Sequence, residues 1–280
     1  MISTSRAPSR GRLASLSLAA LLGAAIAAPG GALATVTPVD AATVSAAETA
    51  MVAKLNADRT ALGLVAVQAD PRLMAIARAR SADMVAKGYF SHTQPDGRNV
   101  FAILTASHVT WYNAGEIIAW NNYPMDVTVS TANRQWMTSP GHHAIIVSTA
   151  YNYVGVGLAI DPVTGKKVWT AVYLTGPDRT AARVRVSSPR VVAGPTRSTR
   201  YTRLSWSGYD PRLQVLTAGL RSYTIQRRVD GGRWVTLVSS TTSRTRTVKV
   251  SLGHRYEFRF AARDRAGNRG PWVTKVVNLR

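Results

Sequence analysis

The sequence predicts an α+β fold in which a helix-rich sandwich is followed by a smaller all-β sandwich. The 280 residues are enough for two domains. Apolar residues recur at helical spacing up to about residue 147 and alternate with a period of two afterwards. Charge is also unevenly distributed along the chain. Residues 181–280 hold 21 basic and 4 acidic residues, whereas residues 35–180 hold 11 basic and 10 acidic residues.

The composition narrows the available chemistry. The chain has no cysteine, which excludes disulfide bridges, thiolate zinc sites and cysteine nucleophiles. The formal net charge is +21, and 29 of the 35 basic residues are arginine. Concentration of this charge in the C-terminal part predicts a polyanionic partner there. An arginine-rich surface that only contacts solvent is the alternative.

Residues 1–34 have the features of a secretory signal peptide. Three arginines precede an uncharged run from Leu13 to Ala28, and an Ala-x-Ala sequence ends at Ala34. This order is typical of signal peptides, and an uncleaved anchor is the alternative. No later segment is long and apolar enough to span a bilayer. We therefore expect a mature chain without a transmembrane segment, starting near Thr35, that is secreted, extracellular or cell-wall associated.

Helical periodicity dominates the first half of the mature chain. Ser45 and Glu48 fit a capping box, and Asp70 with Pro71 fits the start of a second helix that ends at Gly88. The predicted helices cover 45–63, 71–87, 100–106 and 127–138, with a short helical turn over 142–147. A hairpin follows, with strands over 154–158 and 168–174.

Residues 200–280 contain only strand patterns. Short alternating segments are separated by turn signals such as Asp230-Gly231-Gly232, and about seven such strands predict an immunoglobulin-like β-sandwich. The segment 178–199, rich in Arg, Ser, Pro and Val, is interpreted as a linker that contains the first strand of the sandwich. The other predicted strands include 204–206, 223–227, 234–237, 247–250 and 256–260.

Short motifs in residues 48–175 occur in the order found in one family of secreted domains. They are Leu55-Asn56-Ala57-Asp58-Arg59, Asp70-Pro71-Arg72-Leu73, Ala77–Met84, Gly88-Tyr89-Phe90-Ser91-His92, Pro95-Asp96-Gly97-Arg98, Gly115-Glu116, Trp136–His142 and Val154-Gly155-Val156-Gly157. With these motifs the segment resembles the CAP superfamily (cysteine-rich secretory protein, antigen 5 and pathogenesis-related 1) in its cysteine-free bacterial form. The resemblance implies a domain over 45–177, with an α-β-α sandwich and an open cavity.

The C-terminal part resembles a fibronectin type III module. Trp206 matches the core tryptophan of its second strand, and Leu252 with Tyr256 matches a tyrosine corner. The segment Asp264–Asn268 matches the last hairpin of the module. The resemblance implies that residues 200–280 fold as a separate immunoglobulin-like sandwich.

The CAP resemblance implies a site formed by His92, Glu116 and His142. In the family, two histidines and one or two glutamates line the cavity, and some members bind a divalent metal there. His92 and His142 are the implied metal ligands, and neutral imidazoles suit zinc and related ions. The three residues could instead transfer protons, or could form a structural polar cluster that serves only the fold.

Two positions depart from the family pattern. Ser139 stands where many eukaryotic members carry a second glutamate, and Ile117 replaces the asparagine that commonly follows the Gly-Glu pair. The change at Ile117 is expected to loosen a loop that holds Glu116. Aromatic residues also flank Glu116, and they either line a groove for a glycan or lipid or pack in the core. They are Trp111, Tyr112, Trp120 and Tyr123.

Three functions are compatible with these features. The first is a secreted protein that binds an unknown small ligand in the cavity at the cell envelope, with or without a divalent metal such as zinc. The second is a metal-assisted hydrolase of an envelope peptide or glycan that uses His92, Glu116 and His142. The third is a structural or adhesion protein.

The basic residues of 200–280 suggest how the protein is held at the envelope. Arg255 and Arg259 are an even number of residues apart, so both point to one face of a sheet. They predict a basic stripe with aromatic neighbours that tethers the protein to an anionic envelope polymer. Nucleic acid is a disfavoured partner because the protein is expected outside the cytoplasm.

Overall fold

The computed structural model describes residues 40–280. The predicted signal peptide at 1–34 lies outside the described residues. Within residues 40–280, none of the helices combines the length and the apolar character needed to cross a membrane.

The N-terminal part is built from five helices and a four-stranded sheet. The helices are α1 (Ala41–Ala61), α2 (Pro71–Ala86), α3 (Val100–Ala106), α4 (Met125–Thr138) and α5 (Pro140–Ile146). The strands are β1 (Gln68–Ala69), β2 (Asn113–Asn121), β3 (Tyr153–Ile160) and β4 (Lys167–Thr175), in the order β1-β3-β4-β2. The predicted helices and the hairpin of β3 and β4 are confirmed, whereas β2 was not predicted.

The starts of the first two helices differ in how well the local sequence predicts them. The prediction for α2 is confirmed, because the Asp70 carboxylate accepts a backbone hydrogen bond in the first turn at 2.9 Å. The capping box at Ser45 is wrong, because α1 begins earlier, after Asp40. Glu48 is instead fully buried and ion-paired with Arg78. The glutamate that the local pattern assigns to a cap therefore links α1 to Arg78 of α2 and to β3, whose Leu158 N–H donates to it at 3.1 Å.

Helices cover both faces of the sheet and make a three-layer α-β-α sandwich, as the CAP resemblance implies. One face packs against α1, α4 and α5, and the other packs against α2 and α3. Gly155 and Gly157 of β3 let α2 approach closely, because a Cβ at Gly157 would lie 2.1 Å from the backbone nitrogen of Arg78. The fully buried side chains of the two layers include Met51, Leu55, Leu73, Leu104, Trp136, Trp169 and Tyr173.

The C-terminal part contains eight strands in two sheets. They are β5 (Arg183–Val186), β6 (Arg190–Ala193), β7 (Thr199–Tyr209), β8 (Leu220–Val229), β9 (Val235–Thr241), β10 (Thr245–Ser251), β11 (Arg255–Asp264) and β12 (Val273–Asn278). One sheet has the order β10-β7-β5, with β6 also paired to β7, and the other has the order β12-β11-β8-β9. Residues of both sheets share one hydrophobic core around Trp206 and Phe260, as expected for a β-sandwich.

A loop of this sandwich packs into the N-terminal part. Leu213, between β7 and β8, is buried in the same cluster as Leu73 of α2. The neighbouring Val215 exchanges two hydrogen bonds with the side chain of Asn152, at 2.7 and 2.8 Å. The sandwich is therefore fixed to the α-β-α part by apolar and polar contacts.

Candidate functional site

Glu116 lies on β2, the edge strand of the sheet. The expectation of a loop around Glu116 is wrong, because Asn113–Asn121 pairs along its whole length with β4. Ile117, which was expected to loosen this segment, is fully buried in the core between the sheet and α1. Because side chains alternate along a strand, Glu116 points to the opposite face, towards α2.

The Glu116 carboxylate is held by Arg80 of α2. Arg80 Nε donates to Glu116 Oε1 at 2.9 Å, and Nη2 lies 3.4 Å from Oε2. Only 1% and 3% of the two side chains are exposed, so this is a buried ion pair. Burial lowers the pKa of Arg80, but the hydrogen bond and the charge of Glu116 raise it above its usual value. The guanidinium therefore stays charged, and it neutralises the carboxylate.

Arg80 also organises the segment that carries His92. Its remaining N–H groups donate to the Tyr89 hydroxyl and to backbone carbonyls beside His92, the shortest of these contacts being 2.8 Å. Tyr89 in turn donates to Asp83. Hydrogen bonds from Lys87 and Tyr89 lower the pKa of Asp83 to about 2. The site thus rests on a chain of polar contacts that begins on α2 and ends at β2.

His92 contacts the other oxygen of Glu116. Its Nδ1 lies 2.8 Å from Glu116 Oε2, and 54% of its side chain is exposed. Since a carboxylate accepts hydrogen bonds, Nδ1 carries a proton, and in the neutral form of the ring Nε2 is the acceptor. The buried Glu116 carboxylate, whose charge is balanced by Arg80, therefore fixes the orientation of the exposed His92 ring.

His142 lies on the wall of a cavity beside β2. The cavity has a volume of about 440 Å³ and is lined by Phe90, Ile118, Ala119, Trp120, Asn121, Asn122, Tyr123, Gln135, Trp136, Ser139 and His142. Burial lowers the pKa of His142, and the nearby His92 lowers it further. Both effects favour the neutral form of the His142 imidazole. Ser139, at the position of the missing glutamate, adds a hydroxyl to the same wall.

The aromatic residues that flank Glu116 separate into two groups. Trp120 and Tyr123 are 44% and 52% exposed and line the cavity, which contradicts core packing for these two rings. Tyr112 is exposed as well, but it lies outside the cavity. Trp111 packs against Phe101, with ring centroids 5.9 Å apart. The groove interpretation thus applies to Trp120 and Tyr123 alone.

Glu116 does not fit as a direct metal ligand. Arg80 and His92 already engage its two oxygens. Within the described part of the chain, Asp178, Asp210 and Asp264 are the one group of three or more His, Cys, Asp or Glu side chains whose ligand atoms all lie within 4.8 Å of one another. His92, Glu116 and His142 do not form such a group. The donors that remain for a metal at the predicted site are the two imidazoles. A carboxylate that holds the second ring nitrogen of a ligand histidine is a common feature of metal sites, and Glu116 would have that role.

Sequence reasoning overlooked Arg80 as a member of the site. Its signal was present, since Arg80 lies in the Ala77–Met84 motif and a buried carboxylate requires a cation nearby. A helix with arginines at 78 and 80 does not show by spacing alone which one turns inward.

Comparison with known proteins agrees with the fold. Residues 52–173 match the model of the cysteine-rich secretory protein family, CAP. This range runs from α1 into β4 and contains His92, Glu116 and His142. The segment is a CAP domain.

Several proteins are similar to this CAP domain. YkwD of Bacillus subtilis (strain 168) is 33% identical over 131 residues, which cover 47% of this chain and 48% of YkwD. The membrane protein YlbC of the same strain is 31% identical over 103 residues, covering 37% of this chain and 29% of YlbC. The chain therefore spans less than half the length of either relative. A solved extracellular protein with an SCP domain, from Bacillus anthracis str. Ames, is 22% identical. The match covers 49% of this chain and 44% of that protein, with a TM-score of 0.42.

Proposed function

We propose that the CAP domain binds a small amphiphilic molecule of the cell envelope in the cavity beside β2. The observation that carries this proposal is the cavity wall, where exposed rings of Phe90, Trp120 and Tyr123 adjoin polar groups such as His142. A volume of about 440 Å³, with apolar walls and a few polar groups, is typical of small-molecule sites.

The polar groups around these rings suit the head of an acyl ligand. Lys166 Nζ lies 4.4 Å from the ring centroid of Trp120 and 5.8 Å from that of Phe90. An acyl chain would pack on the rings, with an acidic head group beside Lys166.

We also propose that the protein is secreted and that its sandwich is a fibronectin type III-like module. The signal-peptide pattern of residues 1–34 supports secretion. The Tyr256 hydroxyl accepts a hydrogen bond from the backbone nitrogen of Ser251 at 2.9 Å, which supports a tyrosine corner. The buried Trp206, 5.5 Å from the Phe260 ring centroid, supports the match to the core tryptophan.

Titration of the mature chain with sodium dodecanoate tests the cavity proposal. Trp120→Ala and Tyr123→Ala should each weaken binding about tenfold in isothermal titration calorimetry. Each substitution removes an aromatic ring that would contact the acyl chain, which costs about 1.5 kcal/mol of binding free energy from apolar burial. A difference of about 1.4 kcal/mol corresponds to a tenfold change in affinity.

Tyr112→Ala is the matched control, because Tyr112 is 60% exposed yet lies outside the cavity. An equal loss of affinity in Tyr112→Ala would contradict the proposal. Binding of an N-acetylglucosamine hexamer in place of dodecanoate would assign the cavity to a glycan. Binding of neither probe would favour a structural or adhesion role.

A metal-assisted hydrolase of an envelope peptide or glycan is the second candidate function. The contact between His92 Nδ1 and Glu116 favours it, because it leaves Nε2 oriented and free as a base or a metal ligand. A zinc ion held by His92 and His142 would supply a Lewis acid and an activated water. Glu116 would keep the His92 ring in place.

Zinc titration of the mature chain tests this second candidate. We expect one zinc ion per chain in the wild type and at least a tenfold loss of affinity in His142→Ala, since one of two imidazole donors is removed. His143→Ala is the control, because it deletes the adjacent histidine, which does not line the cavity. Equal zinc affinity in the wild type and His142→Ala would exclude His142 as a ligand.

A further inference from the structure

Arginine and tryptophan side chains alternate in a ladder across one sheet of the C-terminal sandwich. The guanidinium carbons of Arg228 and Arg259 lie 4.7 and 4.2 Å from the ring centroid of Trp234. Those of Arg259 and Arg269 lie 4.5 and 4.9 Å from the ring centroid of Trp272. We refer to these five residues, in the order Arg228, Trp234, Arg259, Trp272 and Arg269, as the Arg–Trp ladder.

The ladder lies on the outer face of the sheet β12-β11-β8-β9. Arg259 is on β11 between Phe258 and Phe260, which are fully buried in the sandwich core, so Arg259 points away from that core. Trp234 precedes β9 and Trp272 precedes β12, so the two indoles reach the face from opposite sides of the sheet. The result is one row of three guanidinium groups, each separated from the next by an indole.

The positive charge of this row is only partly balanced. Arg228 pairs with Glu257 at 2.7 Å, and Arg255 pairs with the same carboxylate. Arg259 donates to the neutral amide of Gln226, and within residues 40–280 neither Arg259 nor Arg269 forms an ion pair with a carboxylate. Burial lowers the pKa of Arg259, and the charges of Arg269 and Arg228 lower it further. An anion placed along the row would relieve this repulsion.

The surrounding charge favours the approach of a polyanion. Residues 181–280 hold 21 basic and 4 acidic residues, so the field around the ladder is strongly positive. Guanidinium groups bind planar anions such as carboxylates through two parallel hydrogen bonds. The ladder therefore offers oriented donors within a positively charged surface.

We propose that the Arg–Trp ladder binds a linear acidic polysaccharide whose carboxylates alternate with uncharged sugar faces. The carboxylates would pair with Arg259 and Arg269, and apolar C–H faces of the sugars would lie against the indole edges between them. This alternation matches a uronic acid polymer better than a polyphosphate, which has no apolar groups. Each indole is already contacted by two guanidiniums, which leaves little ring surface for stacking a nucleobase.

Binding of polygalacturonate to the full mature chain tests the proposal. Arg269→Gln should weaken binding about tenfold, because it removes one charge-assisted contact at the exposed end of the ladder. Arg259→Gln should weaken it at least as much. Arg246→Gln is the control, because it removes the same charge from an exposed position on β10 in the other sheet. Its affinity should stay within about twofold of the wild type.

Further probes identify the partner class. Linear polyphosphate, single-stranded DNA and anionic phospholipid vesicles should each bind more weakly than polygalacturonate at equal ionic strength. Tighter binding of any of them, or equal losses in Arg246→Gln and Arg269→Gln, would overturn the proposal. Circular dichroism of each variant separates loss of binding from loss of fold, and Arg269→Gln, at an exposed loop position, keeps the test valid if Arg259→Gln unfolds.

Discussion

Replacement of Arg80 by alanine should lower the free energy of unfolding by about 3–5 kcal/mol. The substitution leaves the Glu116 carboxylate buried without its cation, and loss of one partner of a buried ion pair is strongly destabilising. It also removes the donors to Tyr89 and to the backbone beside His92. The change is measured by urea unfolding of the mature chain at pH 7.

Arg98→Ala is the control for this experiment. Arg98 pairs with Asp96 on the surface, where 56% and 42% of the two side chains are exposed. Exposed pairs contribute about 0–1 kcal/mol, so this variant should unfold close to the wild type. If Arg80→Ala and Arg98→Ala lose similar stability, the Arg80–Glu116 pair does not support the site as described.

Replacement of Gly157 by alanine is expected to have the second largest effect, a loss of about 3 kcal/mol. A Cβ at this position would lie 2.1 Å from Arg78 N and 2.2 Å from the backbone carbon of Ala77. Neither atom can rotate away, so α2 must shift off the sheet, and overpacking of this kind costs about 1–3 kcal/mol or more. Because Arg80 of α2 donates to the Ser91 carbonyl, next to Phe90 of the cavity wall, the variant should also weaken dodecanoate binding.

Gly141→Ala is the matched control for Gly157→Ala. No atom lies within 4 Å of the Cβ that it would add. The variant should be at least as stable as the wild type, because alanine favours a helix more than glycine does, and it should keep the dodecanoate affinity. Thermal unfolding distinguishes the two variants, and an unchanged midpoint in Gly157→Ala would show that close packing of α2 on β3 is not required.

The helices of the CAP domain could be predicted because their signals are local. The Asp70 cap, the proline at 71 and the periodic apolar residues of α2 act within one or two turns of the chain. Strand β2 could not be found in the same way. Its residues Gly115–Ala119 are all buried and show no alternation of polar and apolar types. The strand that pairs with it, β4, lies about 50 residues later in the chain.

Only those residues of the site that lie in short, recognisable motifs could be predicted from the sequence. The CAP resemblance pointed to Glu116 and His92, and the structure places them 2.8 Å apart. The role of Arg80 depends on the rotation of α2 against β2, which the sequence does not encode at short range. The Arg–Trp ladder has the same origin, since Trp234 and Trp272 are distant in sequence and meet only at Arg259.

The central claim is that the cavity beside β2 is the ligand site of the CAP domain. Nitrogen-15 NMR of the seven tryptophan indoles tests it most directly, because Trp120 and Trp136 line the cavity whereas Trp111 and Trp272 lie elsewhere. Dodecanoate should shift the Trp120 and Trp136 signals and leave those of Trp111 and Trp272 unchanged. Saturable binding of dodecanoate with no shift at Trp120 or Trp136 would contradict the claim.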